Sequence, residues 1–292
     1  MNSQPLKTRI QHALRPPRQG FSTLGLLALA AAGLGMSGVL ASAVPIARQA
    51  KAEANPPQTY THEVTTPKKS KASVGTRVEQ GPPLDQTLMP DQTAVVMVDF
   101  QNNFASPQGS SYAPFAEQFR NTHMIENSVH LVTTARELGI QVIHVTEGYT
   151  DDYREVDMGN GGVFHRNAVQ WQAFKSSSWG AQLYDPIRHE SDIVLPDRKT
   201  MSGFGGNALD FILKSRGIRN VAVGGFTADM CVYATLLEGF DRGYRMYAMT
   251  DAVVAGSKPL TREIVGVLYP YVSRPMTSRE FLAMFSQRDA GK

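Results

Sequence analysis

Asn220-Val221-Ala222-Val223-Gly224-Gly225-Phe226-Thr227-Ala228-Asp229-Met230-Cys231-Val232 decides the fold of this 292-residue chain. Asn220 to Gly225 reads as a buried strand, and Tyr233-Ala234-Thr235-Leu236-Leu237-Glu238-Gly239-Phe240 behind it has a helical pattern. Cys231, the only cysteine, therefore stands at a strand-to-helix turn. Backbone N–H groups converge there, and the helix dipole favours a negative sulfur. That placement suits a nucleophile. The plainer alternative is a packed, inert thiol, because free cysteine is among the most buried residue types.

Two partners lie at the ends of other strands. Thr93-Ala94-Val95-Val96-Met97-Val98-Asp99-Phe100 is a continuous apolar run that ends in a carboxylate, the pattern of a strand covered on both faces. Asp192-Ile193-Val194-Leu195-Pro196 leads in the same way to Asp197-Arg198-Lys199. Outward from these, the sequence predicts a strand over 94–100, a helix near 124–138 and strands over 141–146 and 192–195. A helix near 207–216, a strand over 220–226, a helix near 230–241 and a strand over 245–250 follow. Arg216-Gly217 and Arg242-Gly243 are helix stops, and Thr277 with Glu280 forms a capping box for a last helix. Strands alternating with helices at these intervals imply an α/β fold of three layers, α/β/α, around a central parallel sheet. Ligands gather at the carboxyl ends of such strands, which would bring Asp99, Lys199 and Cys231 to one edge.

Val98-Asp99-Phe100-Gln101-Asn102-Asn103-Phe104, Lys199 ahead of Ser202-Gly203-Phe204, and Gly225-Phe226-Thr227 ahead of Cys231-Val232 together resemble the isochorismatase-like cysteine hydrolases. The resemblance covers roughly residues 91–255. Trp179-Gly180-Ala181-Gln182-Leu183 and Ser202-Gly203-Phe204-Gly205-Gly206-Asn207-Ala208-Leu209-Asp210 are similar to ureidoacrylate and related carbamoyl-amide hydrolases. It implies a triad of Cys231, Asp99 and Lys199, and a cis peptide between Phe226 and Thr227 that turns the Thr227 N–H toward an oxyanion beside the N–H of Cys231. In many relatives the lysine lies four residues before the small residue of the Ser-Gly-Phe step, an offset that falls here on Arg198. Arginine stays protonated and relays no proton. Lys199 is therefore the expectation, with a shifted loop residue as the alternative. The resemblance further implies a homo-oligomer, no cofactor and no metal.

The implied reaction is cysteine-dependent hydrolysis of a C–N bond in a small amide, ureido or carbamoyl compound through a thioester. A helix N-terminus and a nearby ammonium would help to ionise Cys231, and Asp99 would act as base and then as acid. Gln101, Phe104, Tyr149, Trp179 and Phe204 are candidates for the substrate pocket, and each also reads as packing. Three other readings stay open: a metal-assisted amidase of nicotinamidase type, vinyl-ether hydrolysis of isochorismate type, and a binding module without turnover. The seven histidines hold no pair at the i, i+4 spacing of a helical zinc site, and there is no Gly-x-Ser-x-Gly elbow or Walker A loop.

Residues 1–52 are a different kind of sequence. Lys7, Arg9, Arg15 and Arg18 precede an uncharged stretch from Gln19 to Ile46, with Ala41-Ser42-Ala43 and Ala50-Lys51-Ala52 as small-x-small steps. This reads as an export signal, or as a single membrane anchor if it is retained. Residues 53–89 read as a disordered linker, and residues 90–288 as the hydrolase domain. Residues 1–80 hold ten Lys or Arg against three Asp or Glu, which leaves the rest with 19 basic and 23 acidic residues. The folded part is thus net negative and offers no basic face to nucleic acid. An exported protein with one cysteine has either an intermolecular bridge or a reactive thiol, and an oxidising compartment threatens a thiolate.

Overall fold

The computed structural model describes residues 88–159 and 162–285. The expected export signal or anchor, and all but the last two residues of the expected linker, lie outside the described residues. Among the described residues no helix is long and apolar enough to cross a membrane.

Six strands form one sheet: β1 (Thr93–Val98), β2 (Gln141–Glu147), β3 (Ile193–Arg198), β4 (Asn220–Phe226), β5 (Arg245–Val254) and β6 (Arg274–Met276). Their order is β3-β2-β1-β4-β5-β6, and every neighbouring pair is parallel. The helices are α1 (Asn102–Ala105), α2 (Ala116–Thr122), α3 (Met124–Glu137), α4 (Val163–Gln170), α5 (Leu209–Ser215) and α6 (Cys231–Asp241), then α7 (Lys258–Glu263), α8 (Tyr269–Val272) and α9 (Ser278–Ala283). The last begins with the expected capping box: Thr277 Oγ1 accepts from the Glu280 N–H, and the Glu280 carboxylate accepts from the Thr277 N–H.

Side chains alternate across the sheet and build two cores. Val95 and Met97 of β1 pack with Leu131 of α3 and Phe281 of α9 on one face. Ala94, Val96 and Val98 pack with Leu213 of α5 and Leu236 of α6 on the other. Every residue of β1 and β4 is buried, which is why both read as unbroken apolar runs rather than alternating ones. The sequence left out α1, α2, α4, α7, α8 and the three-residue β6, all short pieces without a full period of their own.

The chain runs outward from β1 to β3 and then crosses back to β4 on the other side of β1. The β1/β4 crevice is therefore the switch point of the sheet, where the carboxyl ends of the strands leave room for a ligand. The two backbones come unusually close there. Gly225 is paired with Val98 and has φ +116°, and a Cβ on it would lie 2.0 Å from the Val98 carbonyl oxygen. Only glycine fits that position.

Gly225→Ala should destabilise the fold by about 3 kcal/mol or more, because the methyl group meets backbone that cannot yield. Gly139 also has positive φ but open space around it, so Gly139→Ala should cost only about 1 kcal/mol. Urea denaturation of the two variants measures the difference, and equal losses would contradict the close approach.

Candidate active site

The end of β1, the end of β2, the end of β3 and the start of α6 deliver four buried side chains to one place. Asp99 follows β1 with φ +52°, its N–H donating to the Val145 carbonyl at 2.9 Å. This left-handed backbone, costly for a non-glycine residue, ends the strand and keeps the carboxylate inside the protein, where it is fully buried. Arg198 is the last residue of β3, and its guanidinium is equally buried. Its Nη2 donates to both carboxylate oxygens of Asp99, at 2.5 Å to Oδ1, and its Nη1 donates to the Met201 carbonyl at 2.8 Å. Cys231 is the first residue of α6, and its buried thiol and the Asp99 carboxylate are close enough to shift one another's titration.

Lys199 is not in this cluster. Its side chain is 40% exposed, with Nζ 2.9 Å from the Asp197 carbonyl and 3.7 Å from the Glu155 carboxylate. The physical reason is a bulge. β2 and β3 pair Val145 with Leu195 and then Glu147 with Arg198, so β3 carries one extra residue, and Asp197 takes φ +62° there. A β-bulge flips the residue after it to the other face. Arg198, which strict alternation would turn outward, is turned inward. Lys199 then lies past the end of the strand, over the Tyr149 ring at 5.9 Å.

Glu147 is a member of the cluster that the sequence reading missed. It is buried at the end of β2, in register with Arg198, and its Oε1 accepts from the Tyr149 hydroxyl at 2.5 Å. Burial and then the Asp99 charge push its carboxyl up to about 8, against the Tyr149 hydrogen bond and the Arg198 charge. Asp99 is raised too, by burial, although Arg198 and the Cys231 thiol pull the other way. Burial disfavours charge on Arg198, but Asp99 first, then Cys231 and Glu147, keep it a cation. Cys231 is held well above the usual thiol range by burial and the Asp99 charge, which outweigh Arg198. Burial and the Asp99 charge thus oppose the thiolate that the helix N-terminus alone would favour.

The peptide between Phe226 and Thr227 is cis. The N–H groups of Met230 and Val232 donate to the Thr227 carbonyl, and that of Ala228 donates to the Val254 carbonyl, whereas those of Thr227 and Cys231 make no backbone hydrogen bond. Two N–H groups, one just past the end of β4 and one at the start of α6, are therefore without a backbone acceptor.

The five pocket candidates separate. Tyr149 belongs to the cluster through Glu147. Phe104 stacks on Phe226, with ring centroids 5.0 Å apart and planes at 7°, and so supports the cis step. Gln101 is a clamp: its Nε2 donates to the carbonyls of Glu147 and Ala181, both at 2.7 Å, and its Oε1 accepts from the Glu147 N–H. Trp179 is half exposed, and its carbonyl holds the Asn102 amide. Phe204 is in the other core, stacked on Tyr244 at 5.7 Å with the Arg242 guanidinium over it. It is placed for packing. Among the described residues no group of three or more His, Cys, Asp or Glu is arranged to hold a metal.

Comparison with known proteins agrees with this architecture. The family model for the isochorismatase domain matches residues 93–280. The chain belongs to the isochorismatase family. It is 31% identical over 186 residues to the ureidoacrylate amidohydrolase RutB of Acinetobacter baylyi, covering 60% of this chain and 76% of that protein. Among solved structures it is similar to a cysteine hydrolase from Pseudomonas syringae pv. phaseolicola, at TM-score 0.60 and 21% identity, over 71% of this chain and 98% of that one. It is also similar to N-carbamoylsarcosine amidase from Thermoplasma acidophilum, at TM-score 0.51 and 27% identity, over 64% of this chain and 96% of that one.

Removing the Arg198 guanidinium leaves a buried carboxylate with no cation. Arg198→Met should therefore cost about 3–5 kcal/mol of stability at neutral pH. Lys199→Met should stay within about 0.5 kcal/mol, because its ion pair is long and solvated. Chemical denaturation of both checks the assignment, and a larger loss at Lys199 would reverse it.

Proposed function

We propose that this family member is a cysteine amidohydrolase that cleaves the C–N bond of a small amide, ureido or carbamoyl compound through a thioester. The observation that carries this reading is the buried Cys231 thiol at the start of α6, electrostatically coupled to a buried Asp99 carboxylate that is itself held by Arg198. A thiol beside a base whose orientation is fixed by a third group is the arrangement of an activated nucleophile.

The steps follow from the groups present. Asp99 takes the Cys231 proton, and the sulfur attacks the substrate carbonyl carbon. Charge develops on the carbonyl oxygen, where the N–H groups of Thr227 and Cys231 can receive it; each such donor is worth about 10²–10³ in rate. The intermediate collapses, the C–N bond breaks, and the leaving nitrogen takes the proton from Asp99. Water, deprotonated by Asp99, then hydrolyses the thioester and restores the thiol. Arg198 stays charged throughout and keeps the Asp99 carboxylate aimed at the sulfur. It moves no proton.

The names of the similar proteins support the substrate class: one acts on ureidoacrylate, another on N-carbamoylsarcosine. The test is ammonia release from ureidoacrylate, N-carbamoylsarcosine and a panel of simple amides by the full-length chain. Cys231→Ala and Asp99→Asn should each reduce turnover by about 10⁴-fold or more. Undiminished turnover in Cys231→Ala would exclude the thioester and leave a chemistry that needs no thiol.

A further inference from the structure

The buried cluster contains one cation and three groups able to become anions. Arg198 faces Asp99 from β3, Glu147 sits beside it at the end of β2, and Cys231 meets Asp99 from α6. Among the described residues, the remaining titratable groups around Glu147 bring no second buried cation. Tyr149 donates its hydroxyl to Glu147, and the Tyr153 ring packs on Tyr149 at 5.6 Å. His165 of α4 meets Tyr149 edge-on at 5.9 Å, with its Nε2 2.8 Å from the Lys199 carbonyl oxygen. The Lys199 ammonium lies on the outer side of Tyr149, shared with Glu155. Gln101 fixes the Glu147 backbone but carries no charge.

With a single guanidinium, this interior balances a single anion, and a second anion is opposed by burial and by repulsion. Arg198 contacts Asp99 directly, which favours that anion at Asp99, while burial favours the protons on Cys231 and Glu147. In the reactive form the S–H bond of Cys231 breaks, an O–H bond forms on Asp99, and the sulfur becomes the one anion. Both forms keep the proton on Glu147. We infer that Glu147 governs the reactivity of the site: Cys231 ionises more readily while Glu147 is protonated, and the ionisation of Glu147 raises the cost of the thiolate. Glu147 is a positioning residue for charge, acting through Asp99 and Arg198. The inference rests on the nucleophile reading of Cys231, to which it adds a second carboxyl outside the expected triad. The position of its own titration, near 8, would place the effect on the alkaline side of neutrality.

The experiment is the rate of Cys231 alkylation by iodoacetamide against pH, read by mass spectrometry on the folded full-length chain, for wild type, Glu147→Gln and Tyr149→Phe. Glu147→Gln keeps the shape and removes the charge, so its alkylation midpoint should fall by about one to two pH units. Tyr149→Phe removes the hydrogen bond that favours the Glu147 anion, so its midpoint should move in the same direction by less. It carries the test if Glu147→Gln does not fold. Midpoints that stay in place or rise in the folded variants would overturn the role of Glu147. Failure of all three folded proteins to react at any pH would instead remove the nucleophile on which the role depends. Once a substrate is turned over, the alkaline fall in kcat/KM of the wild type should move to higher pH in Glu147→Gln.

Discussion

The ion pair between Asp99 and Arg198 is the interaction on which the site depends. Neither side chain has measurable exposure, and a carboxylate without its cation in that position would cost several kcal/mol or take up a proton. The pair is also what the sheet is shaped to make. Asp99 needs a left-handed backbone to end β1, and Arg198 needs a bulge in β3 to turn inward. Two strained turns at the ends of two strands hold one charge pair. Such strain persists only where surrounding structure over-determines it, and here the Gln101 clamp and the buried β1/β2 pairing do so.

An arginine in this place has consequences that a lysine would not have. A lysine ammonium is a compact charge whose pKa falls readily on burial, so it can share in proton movement. A guanidinium cannot. With Arg198 as the cation, any proton movement in the site falls on the carboxyl and thiol groups around it. Glu147 is next to Arg198 by strand register and next to Asp99 by charge. The same geometry that fixes Asp99 as an acceptor therefore keeps Glu147 protonated, because one cation cannot balance both.

Much of this was legible in the sequence, and what was not has identifiable causes. The buried parallel strands showed as unbroken apolar runs, and the turn from Gly225 to Cys231 showed as a strand ending where a helix begins. Lys199 was misread because a proton-relay argument outweighed a spacing argument, and the spacing that pointed to Arg198 was the sounder guide. A bulge changes which residue faces inward without leaving a mark in composition; Pro196 and the following Asp197 were the only hints. Glu147 gave no signal, since Thr146-Glu147-Gly148 reads as the polar exit of a strand. Phe204 follows a family motif, but a motif fixes the path of the backbone and not the layer a side chain enters. After β3 the chain climbs to the α5 and α6 side, and Phe204 goes with it into that core.

The upward shift of the Cys231 thiol also bears on its susceptibility to oxidation. Sulfur is oxidised in proportion to its thiolate character and its exposure. Cys231 is only 4% exposed, and burial together with the Asp99 charge keeps the proton on its sulfur. A sulfur whose proton is favoured in this way presents little thiolate to an oxidant. The helix N-terminus at α6 does not have to create a standing thiolate. In the proposed reaction it would receive one when Asp99 takes the proton, and the dipole that favours the negative sulfur would act at that moment. Under the proposed chemistry, reactivity and protection would come from one arrangement: a buried thiol, a base oriented by a fixed cation, and a second carboxyl that stays neutral while the first changes charge.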